Sequence, residues 1–143
     1  NPVNLFVAKF LGTPPINVFQ GTVRNEQLYI GKDSILPVKG VADQEVSVGI
    51  RPEGFLLQNG GPLCCHLNRI EVMGRDISVV STHECCEAPA IRSIINAENI
   101  VDTSSETVRF AVRPHKIFLF HKDTGERILF PLQIRVHPPE ALR

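Results

Sequence analysis

Residues 46–55 read VSVGIRPEGF, an alternation of apolar side chains that stops at a proline. Val46, Val48 and Ile50 fall on one side of an extended chain, the pattern of a half-buried strand. Pro52 ends it, because proline has no N–H to give to the next rung of a ladder. Arg51 and Glu53 therefore stand where the strand leaves its sheet. Taken alone, such a pair is a solvated turn, its exposed ion pair contributing about 0–1 kcal/mol.

The same shape recurs at residues 110–117, where a strand again runs into Arg113-Pro114, and the recurrence points to two related halves. Working outward, residues 16–23 predict a strand with a break at Gly21, and residues 26–30 a second strand. Turn signals follow at short intervals, at Gly31-Lys-Asp33, Pro37, Lys39-Gly40, Asp43 and Asn59-Gly-Gly-Pro62. Residues 107–112 and 116–121 predict further strands, the second ended by Lys122-Asp-Thr-Gly125. Residues 128–136 predict a last strand, placed at an edge or split by Pro131, and the tail at residues 137–140 is expected to be loose. A short helical turn is expected near residues 88–94. Many short strands separated by Gly, Pro, Asn and Asp predict an all-β fold, an antiparallel barrel or sandwich.

The start of the chain differs. Asn1 is a good N-cap and Pro2 fits the first helical position, so residues 3–11 predict a helix, which Gly12 caps and Pro14-Pro15 terminate. Val3, Leu5, Phe6, Val7, Ala8, Phe10 and Leu11 wrap nearly all of its faces. A helix apolar all round must be buried on several sides, and one this short is marginal alone in water. The expectation is a connector at residues 1–14 from a preceding domain, followed by one β domain at residues 15–143.

Fifteen acidic residues balance fifteen Lys and Arg for a formal net charge of zero. Nucleic-acid binding rests on clustered Lys and Arg that neutralise phosphates, so no nucleic-acid partner is expected. With no Trp, one Tyr and eight Phe, the aromatic surface is mainly of the kind that enters cores. No apolar run approaches the roughly 20 residues of a membrane helix, and none reads as a secretory leader. The four cysteines, in the adjacent pairs Cys64-Cys65 and Cys85-Cys86, are then expected to be reduced thiols in a cytosolic protein.

Residues 63–73 and 77–85 predict the clearest hairpin. With Gly74-Arg75 as the central turn residues, Val72 meets Ile77 and Ile70 meets Val79, which puts one apolar face in place. The same register sets Cys64 opposite Cys85 and His66 opposite His83. Two thiols and two imidazoles are a ligand set for tetrahedral zinc. Against zinc, the spacing lacks the loop knuckle of structural sites, and cysteine is commonly buried when it binds nothing. Packed thiols with half-exposed histidines, and no metal, are the preferred reading. A Cys64–Cys85 disulfide is disfavoured by the reducing compartment.

The NLFVAKFLGTPP of residues 4–15, the GIRPEGF of residues 49–55, the Glu71-Val-Met-Gly74 run and the VRPH through LFHKDTG of residues 112–125 together resemble one family. This is the C-terminal regulatory segment of sugar-importer ABC ATPases of the maltose and sn-glycerol-3-phosphate type, the transport-associated OB (TOBE) domain. The resemblance covers nearly the whole chain and is weakest around Cys64-Cys65-His66 and residues 83–86. It implies an OB-like β-barrel, or two intertwined OB-type halves. It implies a regulatory and dimerisation role in the ATP-binding subunit, with ATP and Mg held in a missing domain. Implied partners are a second copy, membrane permease subunits reached through that domain, and in some members a regulatory protein; the implied location is cytoplasmic, at the inner face of the cell membrane. Asn17, Gly49, Arg51, Pro52, Glu53, Glu71 and Gly74 are the implied regulatory or dimer contacts.

For nucleotide chemistry within the chain, Gly31-Lys32 is followed by Asp33 and preceded by Glu26 where a phosphate-binding loop needs glycine, so no G-x-x-x-x-G-K-[ST] exists. Neither Gly-x-Ser-x-Gly nor His-Glu-x-x-His occurs, and a non-enzymatic role is expected. The alternative is a stand-alone OB-type module that binds a small oxyanion such as molybdate, as relatives of this barrel do. An oligonucleotide would need exposed aromatics beside basic residues.

Overall fold

The structure, a computed structural model, describes residues 16–99 and 101–131. The predicted helix at residues 3–11, most of the predicted last strand and the tail lie outside the described residues. The strands are β1 (Asn17–Arg24), β2 (Gln27–Ile30), β3 (Asp33–Pro37), β4 (Gln44–Ile50), β5 (Phe55–Leu57), β6 (Leu63–Met73), β7 (Asp76–Thr82), β8 (Ile91–Asn96), β9 (Thr107–Val112), β10 (Ile117–His121) and β11 (Arg127–Ile128). They form a six-stranded sheet in the order β11-β10-β4-β1-β2-β3 and a five-stranded sheet in the order β5-β9-β6-β7-β8. All pairings are antiparallel. The fold is all-β, as the turn spacing predicts, and OB-like, as the resemblance implies.

The chain changes sheets at the two Arg-Pro corners. β4 leaves the first sheet at Arg51, makes a single 3-10 turn at Pro52–Gly54 and enters the second as β5. β9 leaves the second sheet at Arg113, turns at Pro114–Lys116 and enters the first as β10. The incoming and outgoing strands then pair, Ile50 with Ile117 and Phe55 with Val112. At the crossing the Arg51 N–H donates to the Lys116 carbonyl at 3.0 Å, and the Arg113 N–H donates to the Gly54 carbonyl at 2.8 Å. The two halves are thus intertwined, each sheet completed by a strand delivered through a corner. Proline is well suited to this place, since it fixes φ and lacks the N–H that a continuing ladder would need.

Alternation fills the space between the sheets. Phe19, Val48, Ile50, Phe55, Phe110 and Leu119 are fully buried or nearly so, with Phe55 and Phe110 edge to face at 5.1 Å between ring centroids. A smaller apolar cluster, Phe118 and Phe120 with Ile16 and Val18, forms apart from this core.

Three expectations change. Gly21 does not break β1, which runs through it; the glycine serves close packing, since a Cβ there would stand 2.7 Å from Val48 Cγ2. Residues 91–96 are a strand and not part of a helical turn, with Ile91, Ser93 and Ile95 buried at a period of two. Ile91, Ile94 and Ile95 also fit helical spacing, so periodicity alone left that segment ambiguous. Finally, the β6–β7 hairpin follows the expected register from Met73–Asp76 to Arg69–Val80 and then slips, Leu67 pairing with Ser81 and His66 with Thr82. An extra residue on β6 near Asn68 makes this β-bulge.

Candidate functional site

Asn17 ties three strands together. Its Nδ2 donates to the Ile50 carbonyl at 3.1 Å and to the Arg92 carbonyl at 3.0 Å, and its Oδ1 accepts the Arg92 N–H at 3.0 Å. The carboxamide so takes the place of one rung on the outer edge of β8 while holding the end of β4. At 7% exposure it is a buried amide with its hydrogen-bonding capacity used, as such groups require.

Beside it opens a cleft of about 500 Å³, walled by Ile16, Pro52, Met73, Ala88, Ala90 and Ile94 and bordered by Glu71, Ser78 and Arg92. Glu71 sits at its margin between Arg69 Nε at 2.9 Å and Arg92 Nη1 at 3.1 Å. Hydrogen bonds from Arg69 and then Arg92 hold the Glu71 carboxyl below the usual carboxylate range. The group is exposed, so screening leaves the triad more an orienting device than a source of stability. Of the sequence-predicted contacts, the fold brings Asn17, Pro52 and Glu71 to this cleft. Gly74 turns the hairpin whose Met73 forms one wall, at φ +71°.

The remaining residues point elsewhere. The Arg51 guanidinium lies over the Phe118 ring at 5.2 Å, and that of Arg127 lies over the same ring at 4.8 Å. Gly49 is buried between Val18 and Phe118 on neighbouring strands. Glu53 belongs to the corner, its carboxylate 3.5 Å from Lys116 Nζ and its carbonyl accepting Arg113 Nε at 3.1 Å.

The bulge in β6 also decides the thiol end. Because His66 faces Thr82, the alignment that would set Cys64, His66, His83 and Cys85 in two facing pairs does not form. Cys64, His66 and His83 border one shallow hollow of about 320 Å³, whereas Cys85 Sγ lies against Gly31. His83 packs edge-on against Phe19, its Nδ1 accepts the Cys85 N–H at 3.0 Å, and its Nε2 is 3.9 Å from Asp33 Oδ2. No group of three or more His, Cys, Asp and Glu is gathered for a metal among the described residues. All four cysteines are free thiols. Burial pushes the Cys65 thiol up to about 12 and raises those of Cys85 and Cys86. These three are therefore poor nucleophiles near neutral pH.

No family model matches the chain. It is 29% identical over 150 residues to the diacetylchitobiose uptake system ATP-binding protein MsiK of Streptomyces coelicolor, covering 89% of this chain and 40% of that protein. It is 28% identical over 137 residues to the sn-glycerol-3-phosphate import ATP-binding protein UgpC of Shigella sonnei, covering 89% and 37%. Over 128 residues it is 25% identical to UgpC of Ruegeria pomeroyi, covering 89% and 36%. The chain is homologous to ATP-binding subunits of sugar and glycerol-phosphate importers. It spans about two fifths of the length of these curated relatives.

In this importer-subunit homologue, the parts of the cleft that sequence reading missed are Arg92, Ala90 and Ile94. Arg92 and Ile94 come from β8 and Ala90 from the residue just before it, in the stretch predicted as a helical turn, so no extended edge was expected there. Arg127 was also missed as a partner of Phe118, a pairing set by the β10–β11 turn. Among the described residues no helix is long and apolar enough to cross a membrane.

Proposed function

We propose that this chain is the regulatory and dimerisation part of the ATP-binding subunit of an ABC importer for a sugar or glycerol phosphate. The observation that carries the reading is the match over 89% of the chain to importer ATP-binding proteins of which it occupies only about two fifths. ATP and Mg bind in the part of the subunit outside these residues, consistent with the absence of a phosphate-binding loop here. Residues 1–14 connect the two parts, and residues 15–143 form the regulatory domain. The permease subunits meet the ATP-binding part at the cytoplasmic side of the membrane, and the transported solute is chosen by the membrane and solute-binding components. Two copies of the barrel hold two subunits together while the ATP-binding halves open and close. A lasting contact of this kind keeps the moving halves at a high effective concentration.

Arg51 and Glu53, at the corner, are proposed as dimer or regulator contacts. The test is to express the complete reading frame that encodes this chain and to assay it with and without residues 15–143. The reading expects ATP hydrolysis to reside outside these residues and the purified subunit to lose its dimeric state when they are deleted. A complete product without ATP hydrolysis, or a barrel that binds molybdate in a calorimetric titration, would overturn it.

A further inference from the structure

β10 is buried on both faces. Ile117 and Leu119 turn into the main core, whereas Phe118 and Phe120, on the opposite face, are 7% and 0% exposed in a cluster of their own with Ile16 and Val18. That face is the outside of the six-stranded sheet, the side that an antiparallel sheet commonly leaves to water. The register shows what lies beside the two rings. Phe118 faces Gly49 and Phe120 faces Ser47 on β4, and on the far side of β4 the same two residues face Val18 and Gln20 of β1. A glycine and a serine therefore floor a trough, with the two rings on one bank and Val18 on the other, two strand spacings or about 10 Å apart. Neighbours in the plane of a sheet flank a ring and do not roof it. Ser47 is too short to do so, the Arg127 guanidinium lies over Phe118, and Val18 is a full strand further off. Full burial of Phe120 therefore requires chain laid across the trough.

Two stretches of this chain outside the described residues are long enough to supply the roof, residues 1–15 and residues 132–143. Sequence and reach favour the first. Of residues 3–11 only Asn4 and Lys9 are polar, so that stretch needs apolar surface against it. As a helix it would be about 14 Å long and about 10–12 Å across, which matches the trough. Residues 12–15 extend to at most about 14 Å, enough to turn the chain back from Ile16, itself a member of the cluster, onto the rings. The other stretch leaves from Phe130, which is buried in the main core on the inner side of the sheet, and Arg135, Pro138, Pro139 and Glu140 interrupt its apolar pattern. We propose that residues 3–11 lie as a helix in this trough and roof Phe118 and Phe120. The opening segment is then a rigid extension of the barrel and not a loose tether. The contact lies within these 143 residues and stands independently of the importer-subunit reading above.

The test places the photo-crosslinking amino acid p-benzoylphenylalanine at Phe6 and, in a separate preparation, at Phe10 of the 143-residue chain, and maps the products by mass spectrometry. Two positions are used because a helix can turn only one of them fully onto the rings, and because either serves if labelling the other disturbs folding. A third preparation carries the label at Leu132, in the competing stretch. The expected result is a product of single-chain mass that joins Phe6 or Phe10 to residues 117–121 or 47–49. Products at those residues from Leu132 alone would assign the roof to the other end of the chain and overturn the inference. So would products from Phe6 and Phe10 that join only two separate chains, or no product from either position in preparations that melt like the parent.

Discussion

No side chain fits at Gly54, because Lys116 stands where it would be: a Cβ there would lie 2.7 Å from Lys116 Cβ and 3.3 Å from its carbonyl oxygen. The two corners that carry the chain between sheets press together at this point, and the Arg113 N–H bond to the Gly54 carbonyl holds them there. Gly54→Ala should force the corners apart and destabilise the barrel by about 1–3 kcal/mol, the usual range for overpacking. Urea unfolding should show a lower midpoint with an unchanged slope. A midpoint equal to the parent's would mean that the corners are not in contact.

Asn17→Ala removes one side chain and leaves three backbone groups, the Arg92 N–H and C=O and the Ile50 C=O, without it. Each stranded buried group costs about 1–3 kcal/mol, reduced where water enters from the cleft. The expected total is a loss of about 2–4 kcal/mol on that basis, and the Arg92 amide should exchange its hydrogen much faster while those of Ser93 and Ile95 change less. Equal acceleration along all of β8 would indicate that the whole strand detaches, and no acceleration that the rung does not exist.

The Cys65 thiol gives a stability signature in alkali. Its pKa is raised by burial from 9.0 to about 12, so from pH 9 upward the unfolded chain loses a proton that the folded chain keeps. Stability from this group is complete below the unfolded pKa and declines as pH rises from about 9 toward 12. In Cys65→Ala, whose smaller side chain lowers stability at neutral pH by a cavity effect, this part of the alkaline decline should be gone. Parallel curves for parent and variant between pH 9 and pH 11 would refute the assignment.

At pH 8 in the folded state, Cys64, half-exposed, should react with a disulfide reagent well before Cys65, which is 2% exposed. Access and the burial-raised pKa of Cys65 act in the same direction here. Peptide mapping after a short pulse gives the order, and simultaneous labelling of both would contradict the structure.

Much of the architecture is legible in the sequence where one residue type dictates one outcome. Pro52 and Pro114 end their strands as their missing N–H requires, and the hairpin register at Val72–Ile77 and Ile70–Val79 is as the Gly74-Arg75 turn sets it. The register fails at the bulge near Asn68, because an inserted residue leaves no local signal, and the failure displaces His66 from His83. The isoleucines at 91, 94 and 95 satisfy two periods at once, and only pairing with β7 resolves them. The cleft was not legible. Its organising bond joins Asn17 to Arg92 across 75 residues, and nothing in either neighbourhood announces the other.

The proposed function requires the barrel to pair with a second copy of itself. Sedimentation equilibrium of the 143-residue chain, 15.9 kDa, across a wide range of concentrations tests it most directly. The account predicts a species of twice that mass that dissociates on dilution and is weakened by Arg51→Ala or Glu53→Ala at unchanged thermal stability. A single species of 15.9 kDa at all concentrations, in parent and variants alike, would contradict it.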